Sequence, residues 1–295
     1  MRLIASDGDP ITLPPGHRFP FGKYLRVRRE LEREHPDVVL LAPRASWQDV
    51  ELIHDASYLA RFRSGELDPG AVRRLGFPWS EALVARSLRS AGGTLMALEW
   101  ALATGAAGHM AGGTHHAFRD RGEGFCALND LAIAVAVARR DHGLRRVLIV
   151  DLDVHQGNGT ASIFAGDPEV FTLSLHGAKN YPFHKEKSSL DVELPDGCDD
   201  ETYLRALDAA LEAASGHRPD FVLFQAGVDG LAGDRLGRLA LTHAGLRARD
   251  ARVYRFAQRI AAPLVVTLGG GYGRDIEATI EAHANVYRGL CEHFR

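Results

Sequence analysis

The run Val147-Leu148-Ile149-Val150 constrains what this chain can fold into more than any other stretch. Four successive apolar residues without polar alternation predict a strand buried on both faces, the setting of a parallel sheet covered by helices on each side. The run then turns polar through Asp151-Leu152-Asp153-Val154-His155-Gln156-Gly157-Asn158-Gly159-Thr160. Because strand side chains alternate with period two, Asp151, Asp153 and His155 project to one side and Leu152 and Val154 to the other. Two carboxylates and an imidazole at the edge of an apolar interior are costly to desolvate unless a cation or a dense hydrogen-bond network satisfies them. A metal site accounts for all three. The plainer alternative is that the two Asp side chains cap the following turn through Asx-type bonds.

Elsewhere short apolar runs alternate with amphipathic stretches, the pattern of a doubly covered parallel sheet. Strands are expected near 2–5, 37–41, 107–111, 146–151, 170–175, 220–225 and 263–268. Helices are expected near 23–34, 80–104, 128–141, 160–165, 200–215, 243–260 and 275–290. Asp9–Gly22, with four prolines, and His176–Pro195, with three of the four lysines, read as irregular. An apolar content of 45% over 295 residues fits one α/β domain spanning 1–295. The net charge of -3, with arginines dispersed along the chain, argues against direct nucleic-acid binding. No apolar run reaches the roughly 18 residues of a membrane span, and the start is unlike a signal peptide, so a cytoplasmic protein without membrane association is expected. Cys126, Cys198 and Cys291 form no C-x-x-C pair, which suits a reducing compartment.

Three further clusters follow apolar runs. Gly112-Gly113-Thr114-His115-His116 places adjacent histidines after glycines that permit close backbone approach; they could serve as a base and its electrostatic partner, or be ordinary structural histidines. Arg119-Asp120-Arg121-Gly122-Glu123-Gly124-Phe125-Cys126 follows, a turn that carries one large aromatic into a cleft or into the core. Asp229, after Phe221–Gln225, is either a second carboxylate ligand or a turn acid. Gly269-Gly270-Gly271-Tyr272-Gly273 is not a dinucleotide fingerprint, since Arg274 stands where the third glycine belongs and the strand is the last one. Its glycines would instead let Tyr272 reach a confined site and donate to a developing oxyanion.

Together these motifs resemble the zinc-dependent histone deacetylase family of the arginase/deacetylase superfamily, over roughly Pro20 to Asn285. The sequence is most similar to the class IV branch, through Gly-Gly-Thr-His-His, Asp120–Cys126, Asp151–Gly159, Tyr181-Pro182 and Ala232–Gly237. The resemblance implies a three-layer α/β fold with a central eight-stranded parallel sheet. It also implies Zn²⁺, with Fe²⁺ as an alternative, held by Asp153, His155 and Asp229. His115 and His116 would form the dyad, backed by Asp151 and Asn158, and Tyr272 would be the oxyanion donor. A structural K⁺ would sit behind the zinc, on Asp151, Ser174 and the carbonyls of Asp153, His155 and Leu175. Gly124, Phe125, Tyr181, Leu236 and Gly271 would line a substrate tunnel.

What this implies is hydrolysis of an acyl-lysine amide in a protein or peptide, with an acetylated polyamine or other small amine as the alternative substrate. An arginase-type ureohydrolase needs a second metal and bridging carboxylates, and Val228-Asp229-Gly230-Leu231 provides no D-x-D. A catalytically silent acyl-lysine binding module would have lost Tyr272 or a ligand. Because Asp9–Gly22 is short and contains Gly16 and Gly22, it is expected to leave one wall of the acyl pocket open, which favours medium or long acyl groups. The competing expectation is closure by Tyr181 and Phe183.

Overall fold

The computed structural model describes residues 1–35 and 39–294. Among them are eight strands: β1 (Arg2–Ala5), β2 (Val39–Leu41), β3 (Ala106–His109), β4 (Val147–Asp151), β5 (Val170–Gly177), β6 (Leu190–Leu194), β7 (Phe221–Gln225) and β8 (Leu264–Thr267). They form one sheet in the order β2-β1-β3-β8-β7-β4-β5-β6, and every pairing is parallel. Ten helices accompany them: α1 (Lys23–Glu34), α2 (Trp47–Val50), α3 (Ala56–Ser64), α4 (Pro69–Leu75), α5 (Glu81–Thr104), α6 (Asp130–His142), α7 (Asn158–Ile163), α8 (Asp200–Ser215), α9 (His243–Arg259) and α10 (Ile276–His293).

Strand alternation divides the interior into two cores, one on each face of the sheet. Leu148 and Val150 of β4 join Leu173, Val222, Phe224 and Val266 beneath α1, α8, α9 and α10. Val147 and Ile149 point the other way, with Leu223 and Val265, into a core closed by α3, α5 and α6. The architecture is therefore three-layered, as a continuous apolar run demands. No helix among the described residues is long and apolar enough to cross a membrane.

Three differences from the sequence-based expectation have physical reasons. Strand β6 lies inside the stretch read as irregular; it alternates Leu190, Val192 and Leu194 with Asp191 and Glu193, an edge-strand pattern preceded by Lys179, Lys185 and Lys187. Helices α2, α3 and α4 were not expected because they are short, although Asp68 caps α4 by accepting from the Ala71 amide at 2.9 Å and Pro69 opens it. Residues 37 and 38 of the expected second strand lie outside the described residues.

Candidate active site

Four neighbouring strands, β3, β8, β7 and β4, send their carboxyl-end loops to one place. β4 ends at Asp151, yet the alternation continues through the bend that follows: Leu152 and Val154 enter the core while Asp153 and His155 face the site. The bend is held by Asx bonds, in which Asp151 Oδ1 accepts from the Asp153 amide at 3.2 Å and Asp153 Oδ1 from the His155 amide at 3.0 Å. The turn-capping and metal-site readings of this stretch are therefore compatible: the backbone bonds occupy part of each carboxylate and leave the remainder facing inward.

One ligand atom each from Asp153, His155 and Asp229 lies within 4.8 Å of the others, and all three residues are buried. His155 Nδ1 stands 2.9 Å from Asp153 Oδ1 and 3.1 Å from Asp229 Oδ2. A tetrahedral centre with arms of about 2.0–2.1 Å has edges of about 3.3 Å, so the three donors need little movement to hold one ion. The carboxylates are pre-oriented by amides: Gly270 N donates to Asp153 Oδ2 at 2.7 Å and Val154 N to Asp229 Oδ1 at 2.9 Å. Burial and the facing Asp153 carboxylate push Asp229 up to about 7. Burial alone would discharge the His155 ring, yet Asp153 and Asp229 raise it to about 10. Both shifts have one meaning: the cluster is short of positive charge, as an N/O ligand set for a divalent cation is.

Beside the cluster, His115 and His116 stack with ring centroids 4.1 Å apart. His115 Nδ1 bonds Asp151 Oδ2 at 2.6 Å, and His116 Nδ1 bonds Asn158 Oδ1 at 2.7 Å. Burial opposes charge on His115, but Asp151 and Asp153 raise its pKa. His116 goes the other way: burial, then the positive potential of His115 and His155, hold it well below the usual histidine range. Their loop is fixed by Asp130 at the start of α6, whose carboxylate accepts from the amides of Gly113 and Thr114 at 3.0 and 2.7 Å. Gly113 cannot carry a side chain: its φ is +75°, and a Cβ would lie 1.7 Å from Gln225 Oε1. Tyr272, half-buried, is held through its amide, which donates to Asp234 Oδ2 at 2.6 Å.

A family model for the histone deacetylase domain matches residues 17–289. The chain belongs to the histone deacetylase family. An uncharacterized protein of Picosynechococcus is 43% identical over 94% of this chain and 93% of its own length. Histone deacetylase 2 of Arabidopsis thaliana is 34% identical over 87% of this chain and 70% of its own. The crystal structure of an HDAC homologue from Aquifex aeolicus superposes with a TM-score of 0.83 at 26% identity, covering 99% of this chain and 83% of that one. The protein is thus a hydrolase of the deacetylase/amidohydrolase kind, with the arginase-like fold of its family, which implies dependence on a metal.

The tunnel residues do not all fall in one wall. An outer cleft of about 620 Å³ is lined by Gly124, Phe125, Tyr181 and Leu236, and reaches His116, His155 and Tyr272 at its floor. Gly271 is absent from that lining; it is buried, and its carbonyl accepts from Lys23. Gly124 and Phe125 are the central residues of a two-residue hairpin turn with φ of +55° and +68°, closed by paired Glu123 and Cys126 backbone bonds. Positive φ at a phenylalanine is strained, and it presents the ring to the cleft. Cys126 is buried, as packing predicts. The expected cation residues Asp151 and Ser174 are paired in register on β4 and β5, and Ser174 Oγ is 2.9 Å from His176 Nδ1.

Several contributors escaped sequence reasoning. Glu123 Oε1 accepts from both the Tyr181 hydroxyl and Asn158 Nδ2, tying the tunnel wall to the dyad. Arg249, fully buried and paired with Asp250, donates to the carbonyls of Leu152, Ala226 and Gly227, and so braces both loops that carry carboxylate ligands. Lys23 donates to the carbonyls of Gly269 and Gly271 at 3.2 and 3.3 Å, and lies 5.2 Å from the Tyr272 ring centroid. The available signal was a charged residue inside an apolar stripe: Lys23 lines up with Val27 and Leu31, and Arg249 with Leu246 and Val253. Glu123 lies inside the Asp120–Cys126 motif, between two glycines, and nothing else marked it.

Proposed function

We propose that this protein is a zinc-dependent deacylase of acyl-lysine in proteins or peptides, a single catalytic domain over 1–295 in a cytoplasmic setting, with Asp153, His155 and Asp229 as ligands. The donor set of one imidazole and two carboxylates suits Zn²⁺ and would also accept Fe²⁺. When bound, the metal supplies Lewis acidity at an open coordination position. The chain's own groups supply the remaining chemistry. Because Asn158 Nδ2 donates to Glu123, its Oδ1 faces His116, whose Nδ1 must carry the proton; Nε2 is left as the acceptor. His116 is therefore a neutral base able to take a proton from the attacking water and return it to the departing amine. Asp151 and Asp153 favour the protonated form of His115, which would supply positive potential. Burial, with Asp153 adding to it, keeps the Tyr272 hydroxyl protonated and ready to donate to the carbonyl oxygen as it gains charge. Neutral Asn158 and the Ala232–Gly237 text support placement in the class IV branch, and the Asp151–Ser174 pair supports a K⁺ site including the carbonyls of Asp153, His155 and Leu175.

One observation favours acyl-lysine over acetylated polyamines. The cleft mouth carries Arg18, Arg73, Arg74, Arg235 and Arg274, with Lys179 and Arg238 paired to Asp196, and the acid that lines it, Asp234, is already bonded to the Tyr272 amide. Such a rim repels a polycationic amine and attracts an acidic peptide segment. The test is kcat/KM of the zinc-loaded protein on one acetyl-lysine flanked by acidic or by basic residues, and on N-acetylpolyamines, at low and high salt. Acidic flanks should be preferred, with the preference shrinking as salt rises. A preference for the polyamines would reject the assignment.

A further inference from the structure

We propose that Arg86 closes the inner end of the acyl pocket and selects acyl groups that carry a carboxylate at their far end, such as succinyl or glutaryl. The proposal deepens, and rests on, the amidohydrolase reading above. Beyond the floor of the outer cleft lies a cavity of about 50 Å³, bounded by His116, His155 and Tyr272 on one side and by Phe19, Tyr24 and Phe125 on the other. Phe19, Tyr24, Gly112, Thr114 and Phe125 also bound a second cavity, of about 40 Å³, whose remaining wall holds Arg86, Ser87 and Ser90.

Arg86 is 8% exposed, and its guanidinium lies against the rings of Phe21 and Tyr24, 4.1 and 4.6 Å from their centroids. The Tyr24 hydroxyl is a polar partner of the guanidinium, but its Nη1 has no hydrogen-bond partner and no carboxylate pairs with it among the described residues. The acids closest in charge effect are taken: Asp7 by Arg28 at 3.0 Å, and Asp9 by Arg44 and Arg89. The other buried cations are satisfied, Arg249 by Asp250 and three carbonyls and Lys23 by two carbonyls. A guanidinium stays charged even when buried, and a buried charge without a counter-ion is costly. The two cavities meet at shared walls, Phe19, Tyr24, Gly112, Thr114 and Phe125, so an anion that relieves this charge would come from the side of the reacting centre.

The size of the space decides the length of the acyl group. At about 10–15 Å³ per water, each cavity holds a few waters, enough for a short acyl chain with a polar tip. Phe19 accounts for this: it packs against Phe77 and Phe125, at 5.0 and 5.3 Å, so Asp9–Gly22 plugs the pocket that the sequence suggested it would leave open. Tyr181 lines only the outer cleft and Phe183 is 84% exposed, so neither closes the inner end. A medium or long apolar chain would have to widen the pocket and lay its methyl end on a guanidinium. In the proposed reaction water adds its oxygen to the acyl carbon, the C–N bond breaks, and the nitrogen leaves with a proton, releasing a dicarboxylate and a free amine.

The experiment compares one peptide carrying acetyl-, butyryl-, succinyl- or glutaryl-lysine. Succinyl and butyryl have the same four-carbon length, so their ratio isolates the carboxylate. The zinc-loaded wild type should favour succinyl by about 10- to 100-fold, the range of a charge-assisted hydrogen bond. Arg86→Met should reverse that ratio and Arg86→Lys should keep part of it. Equal or faster butyryl cleavage by the wild type, or an unchanged ratio in Arg86→Met, overturns the proposal. Should Arg86→Met not fold, the wild-type ratio and Arg86→Lys carry the test. Calorimetric binding of N-methylsuccinamate against N-methylbutyramide provides a readout without turnover, and equal affinities again overturn it. If no acyl peptide is cleaved, acetyl included, the amidohydrolase reading fails and the binding comparison alone decides the role of Arg86.

Discussion

Gly270 follows β8, and a Cβ placed on it would lie 2.0 Å from Asp229 Oδ2 and 2.6 Å from Asp153 Oδ2. Its φ is outside the left-handed region, so alanine meets no backbone objection there and the effect of Gly270→Ala is steric. To reach 3.4 Å, the near limit of ordinary contact, the Asp229 oxygen must retreat by about 1.4 Å and the Asp153 oxygen by about 0.8 Å. Ligand distances tolerate about 0.2 Å, so both carboxylates would leave the positions from which they can share one ion with His155. Even outer groups around metal sites change affinity by about 10- to 100-fold. Gly270→Ala should therefore weaken Zn²⁺ binding by at least about 100-fold. Overpacking alone should cost the metal-free fold only about 1–3 kcal/mol. Competition with a chromophoric chelator measures the first quantity and urea unfolding the second. Gly22→Ala is the control, because nothing lies within 4 Å of its Cβ and its φ of -65° is ordinary. Zn²⁺ affinity within about threefold of wild type would refute the assignment of Asp153 and Asp229 as ligands of a shared ion.

Tyr272→Phe should retain the metal and lower kcat by about 10²–10³-fold, the effect of removing one oxyanion donor, and His116→Ala should be impaired at least as much; metal analysis beside steady-state kinetics checks both. Asn158→Asp should lower kcat by about tenfold, because it loses the 3.2 Å bond to Glu123 and sets two carboxylates together, and adding Glu123→Gln should recover most of the loss in a double-mutant cycle. Burial lowers the pKa of His54 to about 4, and its Nε2 accepts from the Asn129 amide at 2.9 Å. The unfolded chain takes up this proton near pH 6.5 and the native state does not, so the stability His54 contributes is present above pH 6.5 and is lost as pH falls toward 4. At about 1.4 kcal/mol per pH unit the loss amounts to about 3 kcal/mol. His54→Gln should flatten that part of a stability-against-pH curve, and an unchanged slope counts against the assignment.

Fold class and chemistry-bearing loops were legible in the linear chain because both follow local periodicity. Val147–Val150, short, rich in β-branched residues and unalternating, reads as a strand covered on both faces, and the alternation that places Leu152 and Val154 inside places Asp153 and His155 outside the core whether or not the strand hydrogen bonds continue. Motif order then brought Asp229, the His115–His116 pair and Tyr272 to the same sheet end, since each follows a strand of a parallel sheet. Tertiary structure decided what depends on distance between remote segments. Glu123 meets Asn158 and Tyr181, Lys23 reaches the carbonyls of Gly269 and Gly271, and Arg249 reaches Leu152 and Gly227. The same is true of Gly271, a tunnel residue by resemblance whose carbonyl accepts from Lys23, and of Phe19, whose ring packs against Phe77 and Phe125. The sequence pattern states which side chains are apolar and which are charged, but not which partner reaches them. That is why the charge of Arg86, without a carboxylate partner among the described residues, becomes visible only once Asp7 and Asp9 are seen to be paired elsewhere.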